Sequence, residues 1–581
     1  MFFLKFCNFS NEPSFDSGQF EMFSHESLQV IKNRKAGLVS YASDGVFFAL
    51  VYGSIFNLEM LMPQETLREN LSISEKLLIA FKHSQENFPE RLHGDFVIVL
   101  VNMHEQSIDI FKSPFATKSL FYTCKNGVIY LSGSMPFLRK MLPYDCSISK
   151  EQVVDMLFKQ HQRSDSSFYE TVFQLKNAEH VKIKINVAVS KRLFWVVQDK
   201  SRQRSLDEYT EGLRYFFNQA VNDRLSPLDR VCSEISGGLD SSSVSAVLVS
   251  KFPDLLCFSE KITREDLLVI KQAPDRANAQ QLDDFESLYS HVDMYRLDYK
   301  DTLNNYSDVS RFCYEWSGAP ERAPCNTLRK LDFYNVAKHT GYNKIFCGSL
   351  GDGAFSFRGP HSVSLLKKFR KFYQLPKYLL RKREKRRQFL LGLLRDRPSE
   401  APSISKRRAF KNEEALSCYR EDWMNTALQY TTAASNFNNA AYDAFQIERT
   451  DPTSDQLLIE YCLTIPASAY LNNGLNRYVA REAMKGLLPD SIRLNITKGA
   501  QANHWYAPLR KELSYYKSLL SKFSKNELIR DVIDLEILRS LLLEFEFLSP
   551  AKLTDIHKLD LLHALHVCEW ILLHDENLEW V

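Results

Sequence analysis

Through about residue 195 the apolar positions come in short aromatic and β-branched runs broken by turn residues: 45–52, 94–101, 107–111, 120–122, 128–132 and 180–185. Runs of this kind read as strands that bury at least one face. Met1 to Ser10 reads as a further, first strand, and Ser74 to Ser84 as a lone helix. The expected product is an antiparallel β-sandwich.

From about residue 206 the rhythm changes. Leu206 to Asn222 is amphipathic at helical period, 254–259 is a buried strand, 277–291 a helix, 292–297 a strand, and 344–348 another strand. Alternation of helix and strand implies a parallel sheet with its ligand crevice at the carboxyl ends of the strands. Beyond about 412 the pattern is helix-rich, and no internal repeat is found. The fold class is therefore α/β, with residues 1–200 as an N-terminal antiparallel β-sandwich domain and 201–581 as an α/β domain with a helix-rich end.

Composition narrows the classes. A chain of 581 residues exceeds one ordinary core. Its net charge of +3 provides no field that would call for nucleic acid. Eleven cysteines lack CxxC pairs and histidines at zinc spacing, which reads as reduced, mostly buried thiols in the cytoplasm. The first residues lack a basic n-region and a cleavage site, and no stretch reaches about 18 uninterrupted apolar residues, so no membrane span is expected. One segment departs from this background. A basic insertion at about 362–411 includes Arg381-Lys-Arg-Glu-Lys-Arg-Arg387 with leucines interleaved. It reads as a solvated helical insertion or as a contact for anionic lipid, a partner enzyme or an acidic peptide.

The chemistry is concentrated in Ser236-Gly-Gly-Leu-Asp-Ser-Ser242, which lies between the strand-like 230–235 and the helix-like 243–250. Two glycines let the backbone turn tightly toward a phosphate, and the helix that follows turns its free amides and positive end to the anion. Ser236, Ser241 and Ser242 add hydroxyl donors, and Asp240 can hold Mg²⁺. No Gly-Lys-Ser/Thr follows, so this is not a Walker loop. The pattern favours pyrophosphate as the leaving group, with ATP split between its α and β phosphates to give an AMP-activated carboxylate. A second carboxylate, Asp352, stands in the turn Gly348-Ser-Leu-Gly-Asp-Gly353 after the strand 344–348. With Asp240 it would form a two-carboxylate cage for Mg²⁺ at neighbouring strand ends.

These two loops together resemble the synthetase domain of the asparagine synthetase B superfamily, an ATP-pyrophosphatase-type fold. The likeness continues through Asp451-Pro-Thr-Ser-Asp455, Leu463-Thr-Ile-Pro466, Arg477-Tyr-Val-Ala-Arg481, Gly486-Leu-Leu-Pro489 and Ile492. Leu92-His-Gly-Asp-Phe96 and Lys118-Ser-Leu-Phe-Tyr122 are similar to segments of that family's amidotransferase domain, so the resemblance covers nearly the whole chain.

The departures are informative. Phe2 stands where the family's glutaminase carries its terminal cysteine, and Cys7 cannot replace a terminal residue. Unless a leader is removed, the sandwich is expected to be a degenerate glutaminase that releases no ammonia. Both glutamates of the family's second loop are absent. Ser349 stands where β-lactam synthetases carry a tyrosine used in proton abstraction, which argues against β-lactam closure.

The strings 451–466 and 498–505 look most like lasso peptide cyclases. That resemblance implies an ATP-dependent macrolactam synthetase. It would adenylate an Asp or Glu side chain of a linear core peptide and join it to the peptide's N-terminal amine, with a leader peptidase and an exporter in the same pathway. It also places the backbone of Cys347 and Gly348 near the nucleotide, Phe258 at the strand end that meets adenine, and Lys498 where negative charge develops. His504 and Trp505 would line the peptide or simply pack. The competing readings are an ammonia-dependent amide ligase on a small molecule and a non-catalytic scaffold.

Overall fold

A computed structural model describes residues 1–7, 19–25, 27–68, 70–84, 88–157, 166–185, 188–261, 279–298, 302, 304–358, 413–496, 502, 504–553 and 556–575. The basic insertion at 362–411 lies outside the described residues, and so does Lys498.

Among the described residues, twelve strands precede residue 194. They are β1 (Phe2–Phe6), β2 (Phe20–His25), β3 (Leu28–Asn33), β4 (Val39–Ser43), β5 (Phe47–Ile55), β6 (Gly94–Asn102), β7 (Ser107–Lys112), β8 (Phe121–Lys125), β9 (Val128–Ser132), β10 (Phe173–Gln174), β11 (Glu179–Lys184) and β12 (Ala188–Leu193). They form two antiparallel sheets, ordered β10-β8-β9-β1-β3-β2 and β12-β11-β7-β6-β5-β4. Phe2, Leu4, Phe6, Val30, Leu50, Val97, Val99 and Ile110 fill the core between them. β6 is buried on both faces, because the helix Ile73–Ser84 covers the outer face of its sheet through Leu77, Leu78 and Ala80. β11 alternates instead, with Val181 and Ile183 buried and Lys182 and Lys184 exposed, as expected for a strand with one wet face.

The third sheet is parallel, ordered β15 (Asp293–Leu297), β14 (Leu256–Glu260), β13 (Val231–Glu234), β16 (Lys344–Phe346), β17 (Glu448–Thr450). Strand order runs outward from β13 in both directions, so the topological switch point lies between β13 and β16. A crevice opens at their carboxyl ends. The helix Leu206–Asn222 covers one face; Ser205 caps it in a reciprocal box with Glu208, and Tyr209, Leu213 and Phe217 are buried. The helix Leu239–Val249 is buried on nearly every side, which is why its sequence shows no polar stripe. The helix-rich end, from Glu413–Phe445 to Leu562–Asp575, packs Trp570, Leu565 and Phe437 into a core shared with Phe3 and Leu138 of the sandwich half.

The expected fold class is present in both halves. β2, β3, β4, β10, β12 and β17 were not legible from the pattern, and 120–122 and 344–348 proved to be Phe121–Lys125 and Lys344–Phe346. Among the described residues no helix is long and apolar enough to cross a membrane.

Candidate active site

β13 and β16 are adjacent parallel strands, with Ser233 in register with Phe346, so the loops that follow them meet above the sheet. After β13, Gly237 adopts a φ of +68°, a left-handed conformation that favours glycine, and Gly238 is the N-cap of Leu239–Val249. Ser236 and Ser241 brace the turn: their hydroxyls lie 2.9 Å apart, and the Ser236 N–H donates to Ser241 Oγ at 3.1 Å. The first helical turn, Leu239 to Ser241, leaves its amides without helix acceptors. Ser242 differs from its neighbours. Its side chain is wholly buried, and its hydroxyl has no hydrogen-bond partner among the described residues.

The second loop rests directly on this helix start. A Cβ on Gly348 would come within 2.8 Å of the Asp240 carbonyl carbon and the Ser241 nitrogen. Asp451, just after β17, holds the loop by accepting the Ser349 and Leu350 amides at 2.9 Å each. Asp352 and Asp240 are thereby brought to one guanidinium. Arg477 donates to Asp352 Oδ1, to Asp240 Oδ2 at 3.4 Å and to Ser356 Oγ at 3.0 Å. Arg358 lies 3.6 Å from the other Asp352 oxygen. Burial pushes the Asp240 carboxyl up to about 6; Arg477 pulls it down and Asp352 pushes it further up. Asp240 Oδ1 is buried with no hydrogen-bond partner among the described residues. Two carboxylates, one with an orphaned oxygen, share a single cation here, and a divalent ion completed by phosphate and water oxygens fits that donor set.

The other expected residues divide. Cys347 is buried, its N–H donates to Thr450 O at 3.0 Å, and burial pushes its thiol up to about 12, so neither its amide nor a thiolate is available at the crevice. The Phe258 ring stacks on Phe333 at 5.1 Å inside the core, leaving backbone alone at the crevice. Trp505 packs against Phe545 in the helical core, and His504 is also buried. For Trp505 the packing alternative holds, because its indole fills a cavity between helices.

In the sequence Arg477 stands out only as part of the string Arg477-Tyr-Val-Ala-Arg481. Its φ of +57°, rare for a residue with a side chain, marks it as constrained. The pair beneath the second loop is equally unmarked in the sequence: Arg449 donates to Glu234 Oε1 at 2.7 Å and to Ser349 Oγ at 2.9 Å. Burial opposes ionisation of Glu234, but Arg449 holds its carboxyl at about 2. No local pattern announces such a pair, since its members are far apart in sequence.

The family pattern described as "Asparagine synthase" matches residues 212–563, and "Glutamine amidotransferase domain" matches 15–195. The chain belongs to the asparagine synthase family. That family is one of ATP-dependent amidation, and its matched span contains both loops and Arg477. Within it, the chain is 21% identical to asparagine synthetase [glutamine-hydrolyzing] 1 of Bacillus subtilis strain 168 over 532 residues, 83% of this chain and 80% of that one. It is 27% identical to amidase chry2 of Gibberella zeae over 233 residues, 39% of this chain. The chain spans only 34% of the length of that amidase. Among solved structures, the U34-tRNA thiolase NcsA of Methanococcus maripaludis matches at 11% identity and a TM-score of 0.23, over 63% of this chain and 92% of that one.

Proposed function

We propose that this asparagine synthase family member is an AMP-forming macrolactam synthetase of the lasso cyclase kind. It activates an Asp or Glu side chain of a linear peptide and closes an isopeptide bond with the peptide's own N-terminal amine. The observation that carries the ATP chemistry is the convergence of Asp240, Asp352 and Arg477 on the switch-point crevice beside an open helix start. The peptide reading rests on the motif likeness at 451–466. On this reading residues 1–200 are a former glutaminase domain kept as structure, 201–581 are the ATP-pyrophosphatase-type domain, and the enzyme works in the cytoplasm with a peptidase and an exporter.

Asp240 and Asp352 would hold Mg²⁺, which supplies charge neutralisation at the phosphates when bound. The substrate carboxylate attacks the α-phosphorus, the bond to the β-phosphate oxygen breaks, and pyrophosphate leaves. Gly237, Gly238 and the amides of the first helical turn bind the departing anion, with Ser236 and Ser241 hydroxyls beside them. Arg477 adds a guanidinium that can face the same oxygens. Cys347 and Gly348 border the nucleotide through backbone, as does Phe258, and Lys498 is assigned to charge stabilisation from its motif. In the second step the amine attacks the acyl-adenylate and AMP leaves, with the protein holding the two peptide ends together.

The test is pyrophosphate release. Release driven by a linear peptide bearing a free α-amine and an Asp or Glu side chain, with a product lighter by one water, is the expected result. Release driven by aspartate and ammonium alone would overturn the peptide reading. It would favour the second one, a small-molecule amide ligase, which the long similarity to asparagine synthetase 1 supports.

A further inference from the structure

The segment from Glu448 to Asp455 is gripped from both halves of the molecule. It comprises β17, the turn at Asp451, the short helix Pro452–Ser454 and Asp455, which caps the helix Gln456–Thr464. Lys118, in the loop between β7 and β8 of the sandwich, donates to Glu448 Oε1 at 3.0 Å. His93, just before β6, places its Nε2 3.0 Å from Asp455 Oδ2. Both sandwich residues are buried, and each is fixed within its own half. The Lys118 ammonium donates to Thr117 Oγ1 at 3.2 Å, and Asp95 accepts the Thr117 amide at 2.8 Å. The His93 N–H donates to Asn57 Oδ1 at 2.8 Å, and its ring stands edge-on to Phe56 at 5.3 Å. The sandwich therefore takes hold of the segment at its first and its last residue.

The residues between those two ends hold the second loop. Thr450 O accepts the Cys347 amide at 3.0 Å, and Asp451 accepts the Ser349 and Leu350 amides at 2.9 Å each. Thr453 Oγ1 accepts the Leu350 amide at 3.2 Å, and Arg449 donates to Ser349 Oγ at 2.9 Å. Asp352 follows two residues later, and Gly348 rests against the Asp240 and Ser241 backbone. A shift of the segment is thus passed to the position of Asp352 against Asp240. Neutralising the segment's carboxylates does not by itself require the sandwich. Glu448 also pairs with Lys344 of β16 at 3.3 Å, and Asp455 with Arg224 at 2.8 Å, both cations from the half that carries the parallel sheet. What Lys118 and His93 add is direction, because a carboxylate held from two separate elements has a fixed place. We propose that Lys118 and His93 are positioning residues for adenylation: from the sandwich they clamp both ends of the segment 448–455, which sets the second loop and Asp352 over the phosphate loop. The proposal rests on the ATP reading above, which gives Asp352 its chemistry, and it assigns the sandwich half a part in that chemistry.

The experiment compares Lys118→Met, His93→Phe and their combination with two controls, all on the full chain. His93→Gln keeps a donor near the place of the ring Nε2, and Val99→Ala weakens the sandwich core away from the segment. Two readouts are taken below the melting temperature of every variant. One is amide hydrogen exchange of residues 348–352 against that of β13. The other is ATP–pyrophosphate exchange driven by a linear peptide with a free α-amine and an Asp or Glu side chain. In the clamp variants residues 348–352 should lose protection while β13 keeps it, and pyrophosphate exchange should fall by about 10- to 100-fold. His93→Gln should stay close to wild type in both readouts, and Val99→Ala should lower the melting temperature and change neither. Wild-type protection and rate in the double variant, an equal loss of protection at β13, an equal loss in Val99→Ala, or His93→Gln as impaired as His93→Phe would overturn the proposal. An absence of pyrophosphate exchange in the wild type would instead sink the ATP reading, and with it the catalytic part of the clamp. Amide exchange alone decides whether the sandwich sets the loop.

Discussion

At Gly351 a Cβ would come within 2.2 Å of Asp240 Oδ1 and 2.4 Å of its Cγ, so the second loop can approach the first only because this position is glycine. The Gly351→Ala variant must displace either the Asp240 carboxylate or the loop that carries Asp352. Overpacking of this kind costs about 1–3 kcal/mol, and pyrophosphate exchange should fall well below a tenth of wild type. Asp240→Asn makes the complementary case. Its carboxyl is buried, raised toward neutrality and half unpaired, so losing the charge should leave the melting temperature close to wild type. Exchange should nonetheless be abolished. Melting curves and exchange rates on the two variants check both statements, and exchange retained in Asp240→Asn would remove this carboxylate from the chemistry.

The second loop is placed as an element by a strand three residues long. Asp451 follows β17, accepts the Ser349 and Leu350 amides and caps its own turn through the Thr453 amide at 2.9 Å. Asp451→Ala removes the acceptor of three amides: the Thr453 amide is left buried without one, at a cost of about 1–3 kcal/mol, the exposed Ser349 amide is left to water, and the Leu350 amide keeps Thr453 Oγ1 at 3.2 Å. The loop should then lose its register over Leu239–Val249. Hydrogen exchange at 348–352 should accelerate, and adenylation should slow without a change in far-ultraviolet circular dichroism. β17 was illegible in the sequence because Glu448-Arg-Thr450 carries two charges, and strand patterns are sought among apolar runs. Those charges are buried only because distant residues neutralise them. β2 was missed for the opposite reason, since its half-exposed edge position imposes little alternation on Phe20–His25. The phosphate loop, Asp352 and their neighbouring strands were legible because their constraints are local: glycines at a turn, a strand before it and a helix after it. Arg477 and Arg449 owe their places to contacts across one to two hundred residues, which no periodicity records.

At the scale of the molecule, the sandwich and the parallel sheet are joined by buried charge. Lys118, from the sandwich half, and Lys344 of β16 both pair with Glu448, at 3.0 and 3.3 Å. His93 and Arg224 likewise share Asp455, at 3.0 and 2.8 Å. Burial opposes ionisation of Glu448, but Lys118, with Lys344 after it, holds the carboxyl down at about 2, below its ordinary value of 4.5. A depressed carboxylate contributes its stability in full above about 4.5 and loses it as the pH falls toward about 2. Glu448→Gln would leave the buried Lys118 ammonium with only Asp95, 4.0 Å away, while Lys344 keeps Asp229 at 2.7 Å; loss of the one buried partner costs about 3–5 kcal/mol at pH 7. The gap to wild type should close as the pH is lowered through that window, and denaturant unfolding at pH 7, 4 and 3 measures it. If the sandwich half acts as a brace for the parallel sheet, fluorescence from the sandwich and pyrophosphate exchange should be lost together in these unfolding curves. A variant whose sandwich melted first while exchange persisted would show that the brace is dispensable.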